Sequence, residues 1–577
     1  MLLNGAGLAA SRLALLDVPG GHQPVSNQRG EVWSVFNGEL YNHRALRTDL
    51  QRRGHRFRGH CDSELIPALF EEWGAEFVTR LRGMFALAVY DQASGELHLA
   101  RDPFGVKPLY YRMVDGQLHF ASEVRALLAG ETPPAIDETS VWHYLSFGYV
   151  PDPGTMWREI AKVPPGHRLS FQQGQLRAHR YWHPTFEPDA DQPWETSTAA
   201  IGDALTDSVS VHLDADVPVG VYLSSGVDSS LIAALATHTA PLKTFTVGFR
   251  GSSGQLEELA AAREMAELLG AEHREELVSA EDYCTALPTI AASQEEPLAD
   301  PSAPALWFLA RAAGREVKAV LSGEGADELF AGYPIYQEPR ALRHLQRLPD
   351  SVRNRVGVLA DQLPERLRGR SYLQRGTSPL ERRFLGNSPV FSEQGKRLLF
   401  AGDLAEKLPP SYEIVAPYYD ESDAVDEVAQ MQTVSCQTWL PGSILAKADK
   451  MSMAHSVEVR VPFLDREVFE VARTLPLSHR LSGGRTKVAL RTVAERTLPE
   501  IVAQRPKLGF PVPFRAWLDG PVGALLRDLV AASDDPLLDR NALRRLVHEP
   551  RPHPARYRQQ WSVLSYLLWR QTATDWI

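Results

Sequence analysis

The chain is poor in cysteine, with Cys61, Cys284 and Cys436 as the three in 577 residues. They form no CxxC pair, which argues against a zinc site or a disulfide framework. No uninterrupted apolar run is long enough for a membrane span, and no basic N-terminal region precedes an apolar segment, so neither a membrane protein nor a signal peptide is indicated. Because a reducing compartment is the default for so few cysteines, we expect a cytoplasmic protein.

Positive charge is also in short supply. The chain has 61 Lys and Arg against 72 Asp and Glu, spread along its length, for a net charge of −11. We therefore expect neither nucleic acid nor an anionic membrane as a partner. A hydrophobic content of 44% indicates a globular protein, and 577 residues exceed what one core usually holds, so two or more domains are expected.

The first 183 residues alternate strand-like runs with two helical stretches. The predicted strands are Val32–Phe36, Phe85–Tyr90, Leu97–Ala100 and Leu118–Ala121, and the predicted helices are Tyr41–Arg53 and Glu64–Trp73. The polar stretch Asp91–Gly95 between the second and third strands predicts a hairpin. This pattern indicates an α+β domain with layered sheets over residues 1–183. The proline-rich and acidic residues 184–194 predict a linker.

After the linker the pattern changes to short apolar strands between helices. Val217–Leu223, Lys243–Phe249 and Val317–Leu321 are strand candidates, and Leu256–Leu269 carries apolar residues on one helical face. Such an alternation predicts a parallel, doubly wound sheet in a domain over residues 195–577. From about Tyr336 onward the sequence predicts mainly helices, and after about Leu518 it predicts polar helices to which we assign no chemistry.

The most informative stretch is Leu223–Ser230, between a predicted strand and a predicted helix. Its small residues let phosphates approach backbone N–H groups at a helix start; they are Ser224, Ser225, Gly226, Ser229 and Ser230. Asp228 offers a hard oxygen ligand for Mg²⁺. The spacing is not that of a Walker A motif, which needs a lysine. Taken alone, the stretch fits either a phosphate-binding loop or an ordinary Ser/Gly turn.

A second loop of the same kind, Ser322–Glu328, follows the strand candidate Val317–Leu321. Parallel strands bring such loops to one edge of a sheet, where ligands usually bind. Asp228 and Asp327 would then share one Mg²⁺ on the phosphates of ATP, with Glu324 facing the reacting carbon. The alternative role for Asp327 is to stabilise a helix N-terminus. Together the two loops predict a chain that splits ATP.

Seven motifs in a fixed order resemble the glutamine-hydrolysing asparagine synthetase family. They are Phe36–Asn42, Arg80–Ala86, Ala100–Tyr110, Ser224–Ser230, Ser322–Glu328, Lys450–Glu458 and Val459–Asp465. The resemblance runs from residue 12 to about 520. It implies an N-terminal-nucleophile glutaminase, or class II glutamine amidotransferase, domain with layered sheets. A PP-loop ATP pyrophosphatase domain with a parallel sheet and a helical C-terminal part would follow.

The resemblance also implies a reaction. In this family of ligases, aspartate attacks the α-phosphorus of ATP to give β-aspartyl-AMP and pyrophosphate, and ammonia carried from glutamine through an internal tunnel displaces AMP. By resemblance, Leu223, Val247, Ser322 and Gly323 would contact the nucleotide, Asp228 and Asp327 would hold Mg²⁺, Glu324 would serve formation of the acyl-adenylate, and Lys450 would stabilise charge on the phosphates. The partners implied are ATP, aspartate and glutamine or ammonia, and a homodimer is left open.

The same resemblance places a glutamine pocket in the first domain, formed by Arg12, Asn37, Gly38, Glu39 and Asp62. The residue types suit the task. Arg12 can clamp an α-carboxylate, and Glu39 and Asp62 can accept from an α-ammonium. Asn37 and Gly38 can form an oxyanion hole. The alternatives are an ordinary Asn-Gly turn and a surface arginine.

The chain departs from the family at its start. The family's nucleophile is an N-terminal cysteine whose own α-amino group acts as the base. This chain begins Met1-Leu-Leu-Asn, and the resemblance begins only near Gly7–Arg12. We expect a start codon placed too far downstream, or else a short chain that uses free ammonia; as given, its glutaminase half is predicted to be inactive. Internal Cys61, beside Asp62, is predicted to be structural, with a raised thiol pKa.

Two other classes of function stay open. One is a related amide-forming enzyme, such as a β-lactam synthetase or a peptide or sugar amidotransferase, which uses the same acyl-adenylate chemistry. The other is a non-catalytic nucleotide-binding module, against which the set of Asp228, Asp327, Glu324 and Lys450 argues. A smaller departure is Ser225, which replaces the glycine more usual in this loop and would be strained at a positive φ.

Overall fold

Strands outnumber helices in the first 180 residues. The computed structural model describes residues 1–3, 5–130, 132–237, 241–250, 253–364, 367–387, 389–422, 426–505, 512–548 and 554–574. In the first domain the strands are β1 (Leu2–Leu3), β2 (Ala6–Gly7), β3 (Val25–Ser26), β4 (Val32–Leu40), β5 (Gly83–Asp91), β6 (Glu96–Arg101), β7 (Tyr110–Val114), β8 (Gln117–Ala121), β9 (Ile160–Lys162), β10 (His167–Gln172) and β11 (Gln175–Arg180). The helices are α1 (His43–Arg52), α2 (Ile66–Trp73), α3 (Val124–Leu128) and α4 (Glu138–Phe147).

Two larger antiparallel sheets build this domain, and β1 and β2 form a separate antiparallel pair. One has the strand order β11-β10-β6-β5-β4-β3, and the other has the order β8-β7-β9. Alternate residues of the large sheet pack on its two faces: Phe36 and Phe85 join the core beneath α1 and α2, while Val35 and Ala86 join a second core with Leu109. The predicted hairpin is confirmed, because β5 and β6 pair across Asp91 and Glu96. The α+β layered-sheet prediction is likewise confirmed.

A parallel sheet organises the second part of the chain. Its elements are α5 (Trp194–His212), β12 (Val219–Tyr222), α6 (Val227–Ala236), β13 (Lys243–Phe249), α7 (Ser253–Leu268), β14 (Glu272–Val278), α8 (Ala280–Gln294), α9 (Ser302–Ala313), β15 (Ala319–Leu321), α10 (Ala326–Leu329) and β16 (Glu458–Arg460). The strand order is β14-β13-β12-β15-β16, with all neighbours parallel. The three predicted strands are present, and β14 and β16 are additions that the sequence pattern missed.

The remainder is mainly helical, as expected. It comprises α11 (Glu338–Gln346), α12 (Asp350–Gln362), α13 (Arg370–Thr377), α14 (Leu380–Arg383), α15 (Glu393–Leu399), α16 (Tyr412–Asp420), α17 (Glu427–Val434), a π-helical turn (Ser435–Leu445), α18 (Ala446–Met453), α19 (Arg466–Ala472), α20 (Leu477–Arg480), the two-stranded β17 (Leu481–Ser482) and β18 (Arg485–Thr486), α21 (Val488–Glu495), α22 (Glu500–Ala503), α23 (Phe514–Leu518), α24 (Pro521–Ala532), α25 (Arg540–His548) and α26 (Pro554–Thr574). Short 3₁₀ turns lie at Asp62–Leu65, Gly74–Arg80, Pro334–Gln337, Leu404–Glu406 and Pro462–Leu464.

The last helix, α26, is a core element. Trp561, Leu564 and Trp569 on it are buried, so the expectation of polar helices after Leu518 is wrong for this segment. The polar residues between these positions hid the apolar face. Across the described parts of the chain, every helix is too short or too polar to cross a membrane.

Residues 184–194, predicted as a linker, contain no helix or strand before Trp194, where α5 begins. They are nevertheless fixed to the second domain. The Phe186 ring packs edge-on against Phe469 at 5.6 Å between centroids, and the backbone N–H of Glu187 donates to the Arg473 carbonyl at 2.9 Å. The connection is therefore packed on the second domain.

Candidate active site

A cavity of about 590 Å³ opens where β12 and β15 end. The two predicted loops line it from neighbouring parallel strands, as the topology requires. The predicted residues at its wall are Leu223, Ser224, Ser225, Gly226, Asp228, Ser229, Val247, Ser322, Gly323, Glu324 and Asp327. Ser230 is the exception, since it is fully buried within α6 and does not line the cavity.

Hydrogen bonds to its own serines and to Glu258 fix the backbone of the loop after β12. The N–H of Ser224 donates to Ser229 Oγ at 3.1 Å, and the N–H of Gly226 donates to Ser224 Oγ at 3.2 Å. The N–H of Ser225 donates to Glu258 Oε1 at 2.7 Å. Ser225 does not lie in the left-handed region, so serine instead of glycine causes no backbone strain here.

The two loops touch at Gly323. A Cβ atom at this position would lie 3.1 Å from both the Asp228 Cβ and the Ser229 N. That approach is tighter than ordinary side-chain packing, so a larger residue would push the loops apart. Glycine at position 323 thus sets the distance between the two carboxylate-bearing loops.

A buried lysine joins Asp228 and Asp327. Lys487, which precedes α21, has a φ of 55° and is 2% exposed. Its Nζ lies 2.6 Å from Asp228 Oδ2 and 2.5 Å from Asp327 Oδ1. The two predicted metal ligands therefore converge on one point, although α6 and α10 carry them.

The carboxylate pair fits a Mg²⁺ ion that is also bound by phosphates. Asp228 Oδ1 is buried and has no hydrogen-bond partner among the described residues, so it can still accept a ligand. Within that same part of the chain, no cluster of three or more His, Cys, Asp or Glu side chains could hold a metal alone. Mg²⁺ commonly uses one or two carboxylates together with substrate phosphates, which matches this donor set.

Sequence reasoning missed most of the positive charge at the cavity. Lys447, Lys487, Arg491 and Arg505 all line it. Arg505 Nη1 donates to the Ser225 carbonyl at 3.0 Å, and Lys447 Nζ donates to Asp300 Oδ2 at 2.8 Å. Lys487 and Arg491 are four residues apart at a helix start, and this spacing could have indicated that two of these charges lie on one face.

Lys450, predicted to act on the phosphates, lies elsewhere. Its side chain borders a second, much smaller cavity of about 50 Å³ between the domains, and its Nζ forms an ion pair with Glu295. The ammonium also lies 5.7 Å from the centre of the Tyr110 ring. The structure therefore does not bring Lys450 together with Asp228, Asp327 and Glu324.

Glu328 follows Asp327 but does not line the cavity. It is buried, and the Tyr333 hydroxyl donates to its Oε1 at 2.7 Å. Burial, reinforced by the neighbouring Asp327 carboxylate, raises the pKa of Glu328 to about 7. Of the acids in this loop, Glu324 and Asp327 face the cavity and Glu328 faces the interior.

All five predicted glutamine-pocket residues line one small cavity of about 80 Å³ in the first domain. They are Arg12, Asn37, Gly38, Glu39 and Asp62. Asn37 Nδ2 donates to Ser122 Oγ at 3.1 Å. Gly38 has a φ of 147° on β4, and a Cβ there would lie 2.0 Å from the Met84 carbonyl oxygen, so only glycine fits.

The charged members of this pocket are already engaged. The Arg12 guanidinium donates to the carbonyls of Leu16 and Asp17. Asp62 Oδ2 accepts from the Leu40 N–H at 2.9 Å, and burial raises the Asp62 pKa despite this bond. Met453 and Glu458 of the second domain close the cavity.

Cys61 also lines this pocket. Its thiol is 3.2 Å from Ser63 Oγ. Burial, with the adjacent Asp62 carboxylate as the next cause, raises the pKa of the thiol to about 11. The thiol is therefore protonated at neutral pH, which matches the predicted structural role.

The architecture defines a two-domain protein in which an antiparallel layered-sheet domain is docked on a nucleotide-binding parallel-sheet domain. Comparison with known families identifies both parts: residues 2–182 match the glutamine amidotransferase domain, and residues 200–571 match asparagine synthase. The chain belongs to the asparagine synthase family.

Three relatives illustrate the range of similarity. Asparagine synthetase [glutamine-hydrolyzing] 1 of Bacillus subtilis is 38% identical over 98% of this chain and 89% of its own length. Asparagine synthetase B of Escherichia coli is 35% identical over 57% of each chain. Amidase chry2 of Gibberella zeae is 28% identical over 92% of this chain and 84% of its own.

Proposed function

We propose that this chain converts aspartate to asparagine with ATP. The β-carboxylate oxygen of aspartate attacks the α-phosphorus, and the bond to pyrophosphate breaks, leaving β-aspartyl-AMP. Ammonia then attacks the acyl carbon and AMP departs with the bridging oxygen. The proposal is supported by family membership, by relatives that are glutamine-hydrolysing asparagine synthetases, and by the cavity that joins the two loops.

The residues divide this work by chemistry. Asp228 and Asp327 would hold Mg²⁺, which supplies charge neutralisation on the phosphates when bound. Lys487, Arg491 and Arg505 add fixed positive charge around the same cavity, where negative charge develops on pyrophosphate. The small side chains of the β12 loop would leave room for the phosphates at the end of the strand.

The observation that carries the proposal is the shared contact of Asp228 and Asp327 with one ammonium, at distances of 2.6 and 2.5 Å from Lys487 Nζ. Two carboxylates from different strand-end loops are held together there at a cavity that also exposes Glu324. Glu324 would face the acyl group of the acceptor. This arrangement suits activation of a carboxylate by adenylation.

Nitrogen would come from glutamine or from free ammonia. Arg12 and Glu39 are proposed to bind the α-carboxylate and the α-ammonium of glutamine, with Asp62 as a second acceptor. Asn37 and Gly38 are proposed to form the oxyanion hole. The common cavity of these five residues supports that assignment.

A second candidate is a related amide-forming synthetase with a larger acceptor. Phe147, Tyr333 and Trp439 are among the aromatic side chains that line the main cavity. Free aspartate needs no aromatic wall, and one relative is named as an amidase. The acyl-adenylate chemistry would be the same, with a different carboxylate.

The test is a pyrophosphate-release assay with ATP and Mg²⁺ in which aspartate, ammonium and glutamine are varied one at a time. Asparagine is quantified in the same samples. Asparagine formed in proportion to pyrophosphate supports the proposal. Pyrophosphate released independently of aspartate would favour the second candidate, and no release in any mixture would leave a nucleotide-binding module. The ammonium and glutamine arms identify the nitrogen donor.

A further inference from the structure

Glu39 of the glutamine pocket is held from the other domain. Glu39 is 4% exposed, and its Oε2 accepts from Nη2 of Arg460 at 2.9 Å. Arg460 ends β16 of the parallel sheet, and none of its surface is exposed. The pocket therefore contains a carboxylate whose cation comes from 421 residues further along the chain.

Three further hydrogen bonds hold the Arg460 guanidinium in place. Its Nε donates to Glu458 Oε1 at 3.1 Å, and its Nη1 donates to the carbonyls of His212 and Asp214 at 2.9 and 2.8 Å. These bonds use the planar fork that distinguishes arginine from lysine. Arg460 thus fixes the orientation of the Glu39 carboxylate from a rigid strand.

Neighbouring charges also act on the Glu39 carboxylate. Burial is the largest influence on Glu39 and raises its pKa, and the Arg460 guanidinium is the largest influence opposing that rise. The carboxylates of Asp62, Glu458 and Asp214 face Glu39 and raise its pKa further, and the buried Tyr41 hydroxyl lies beside the same guanidinium. The Glu39 pKa stays well above its ordinary value, and Arg460 is the one leading influence that favours the ionised form.

We infer that Arg460 is a positioning residue of the glutamine pocket, which orients the Glu39 carboxylate to receive the α-ammonium of glutamine. The inference rests on the proposed glutamine pocket and adds a residue from the synthetase half to it. A glutamine site that depends on this arginine forms only when the two domains are docked.

The test measures the Kd of L-glutamate by isothermal titration calorimetry, because glutamate keeps both α-groups of glutamine and is not hydrolysed. Arg460→Gln should weaken binding by about tenfold or more at about pH 8, as expected for loss of a charged hydrogen bond. The loss should be larger at about pH 6 than at about pH 8, because Arg460 opposes protonation of Glu39. Arg460→Lys keeps the charge and should weaken binding less, with the wild-type pH dependence. It also serves as the test variant if circular dichroism shows that Arg460→Gln does not fold.

Arg82→Gln is the matched control. Arg82 also pairs across the domain interface, with its Nε 2.9 and 3.0 Å from the Asp465 carboxylate, but it does not line the pocket. Its variant should bind glutamate within about twofold of wild type. Equal losses in Arg82→Gln and Arg460→Gln, or none in either, would overturn the inference. If the wild-type protein does not bind glutamate, the pocket itself is refuted, whereas the pyrophosphate assay tests the synthetase reaction independently.

Discussion

Nζ of Lys487 lies 2.6 Å from Oδ2 of Asp228, and both groups are buried. Because Asp327 contacts the same ammonium, one positive charge stands between two carboxylates from different loops. Removing the ammonium or the carboxylates from this buried group leaves uncompensated charge, which is strongly unfavourable. This contact is therefore the most sensitive point of the proposed ATP site.

Asp228→Ala should abolish pyrophosphate release without unfolding the protein. The change removes one of the two oxygen donors for Mg²⁺ and leaves Asp327 as the partner of Lys487. Steady-state pyrophosphate release should fall by about a hundredfold or more, the scale of losing an electrostatic contact in the transition state. The exposed Asp203, replaced by alanine, is the control. Full activity in Asp228→Ala would remove this residue from the metal site.

Lys487→Met should raise the KM for ATP and destabilise the fold together. The two carboxylates would lose their shared cation, at a cost of about 3 kcal/mol. Chemical denaturation should report that loss, and added MgATP should recover part of it because the ion replaces the missing charge. Lys318→Met, at an exposed position, should behave as wild type. Unchanged stability in Lys487→Met would contradict the contact.

Gly38→Ala should destabilise the first domain. The new Cβ would lie 2.0 Å from the Met84 carbonyl oxygen, at a φ of 147°. We expect a loss of about 3 kcal/mol in the free energy of unfolding, typical of overpacking against backbone. Gly116→Ala is the matched control, since it has a φ of 77° and no atom near its Cβ, and should cost about 1 kcal/mol. Equal losses in the two variants would show that steric contact at Gly38 is unimportant.

His212 should make the protein less stable in acid. Burial lowers its pKa from the ordinary 6.5 to about 4, and its Nδ1 lies 2.8 Å from the Ser208 carbonyl. Below pH 6.5 the unfolded chain binds a proton at this histidine, whereas the folded protein does not until about pH 4. The contribution of neutral His212 to the free energy of unfolding is therefore complete above pH 6.5 and is lost as the pH falls toward 4. The size is roughly 3 kcal/mol.

The pH dependence is checked by urea denaturation of wild type and His212→Phe at several pH values between about 4 and 7. The wild-type free energy of unfolding should fall faster with acid than that of the variant. His179→Gln, at an exposed site, is the control and should follow wild type. Parallel curves for wild type and His212→Phe would exclude the buried histidine as a cause.

Regular elements with strong local patterns were predictable. The strand Lys243–Phe249 was predicted with the bounds that the structure has, because five of its seven residues are β-branched or aromatic, which is a clear local signal. The convergence of the two loops was also predictable, since parallel strands align their carboxyl ends. These features follow from short stretches of sequence.

Strand β16 could not be predicted in this way. It has three residues, and two of them, Glu458 and Arg460, are charged yet buried. Their burial is compensated by Lys107 and Glu39 from the other domain, which no local pattern reveals. For the same reason, the sequence could not show that Lys450 and Lys447 lie at different sites. They lie three residues apart on α18, and tertiary packing places one at the domain boundary and the other at the main cavity.

The ion pairs between the domains couple the unfolding of the two halves. Asp449, Arg460 and Asp465 of the second domain each have a partner in the first: Lys107, Glu39 and Arg82. A fragment beginning at Trp194 would leave Asp449, Arg460 and Asp465 without these partners. The halves should therefore melt as one cooperative unit, and calorimetry should record a single transition in which neither half survives the loss of the other.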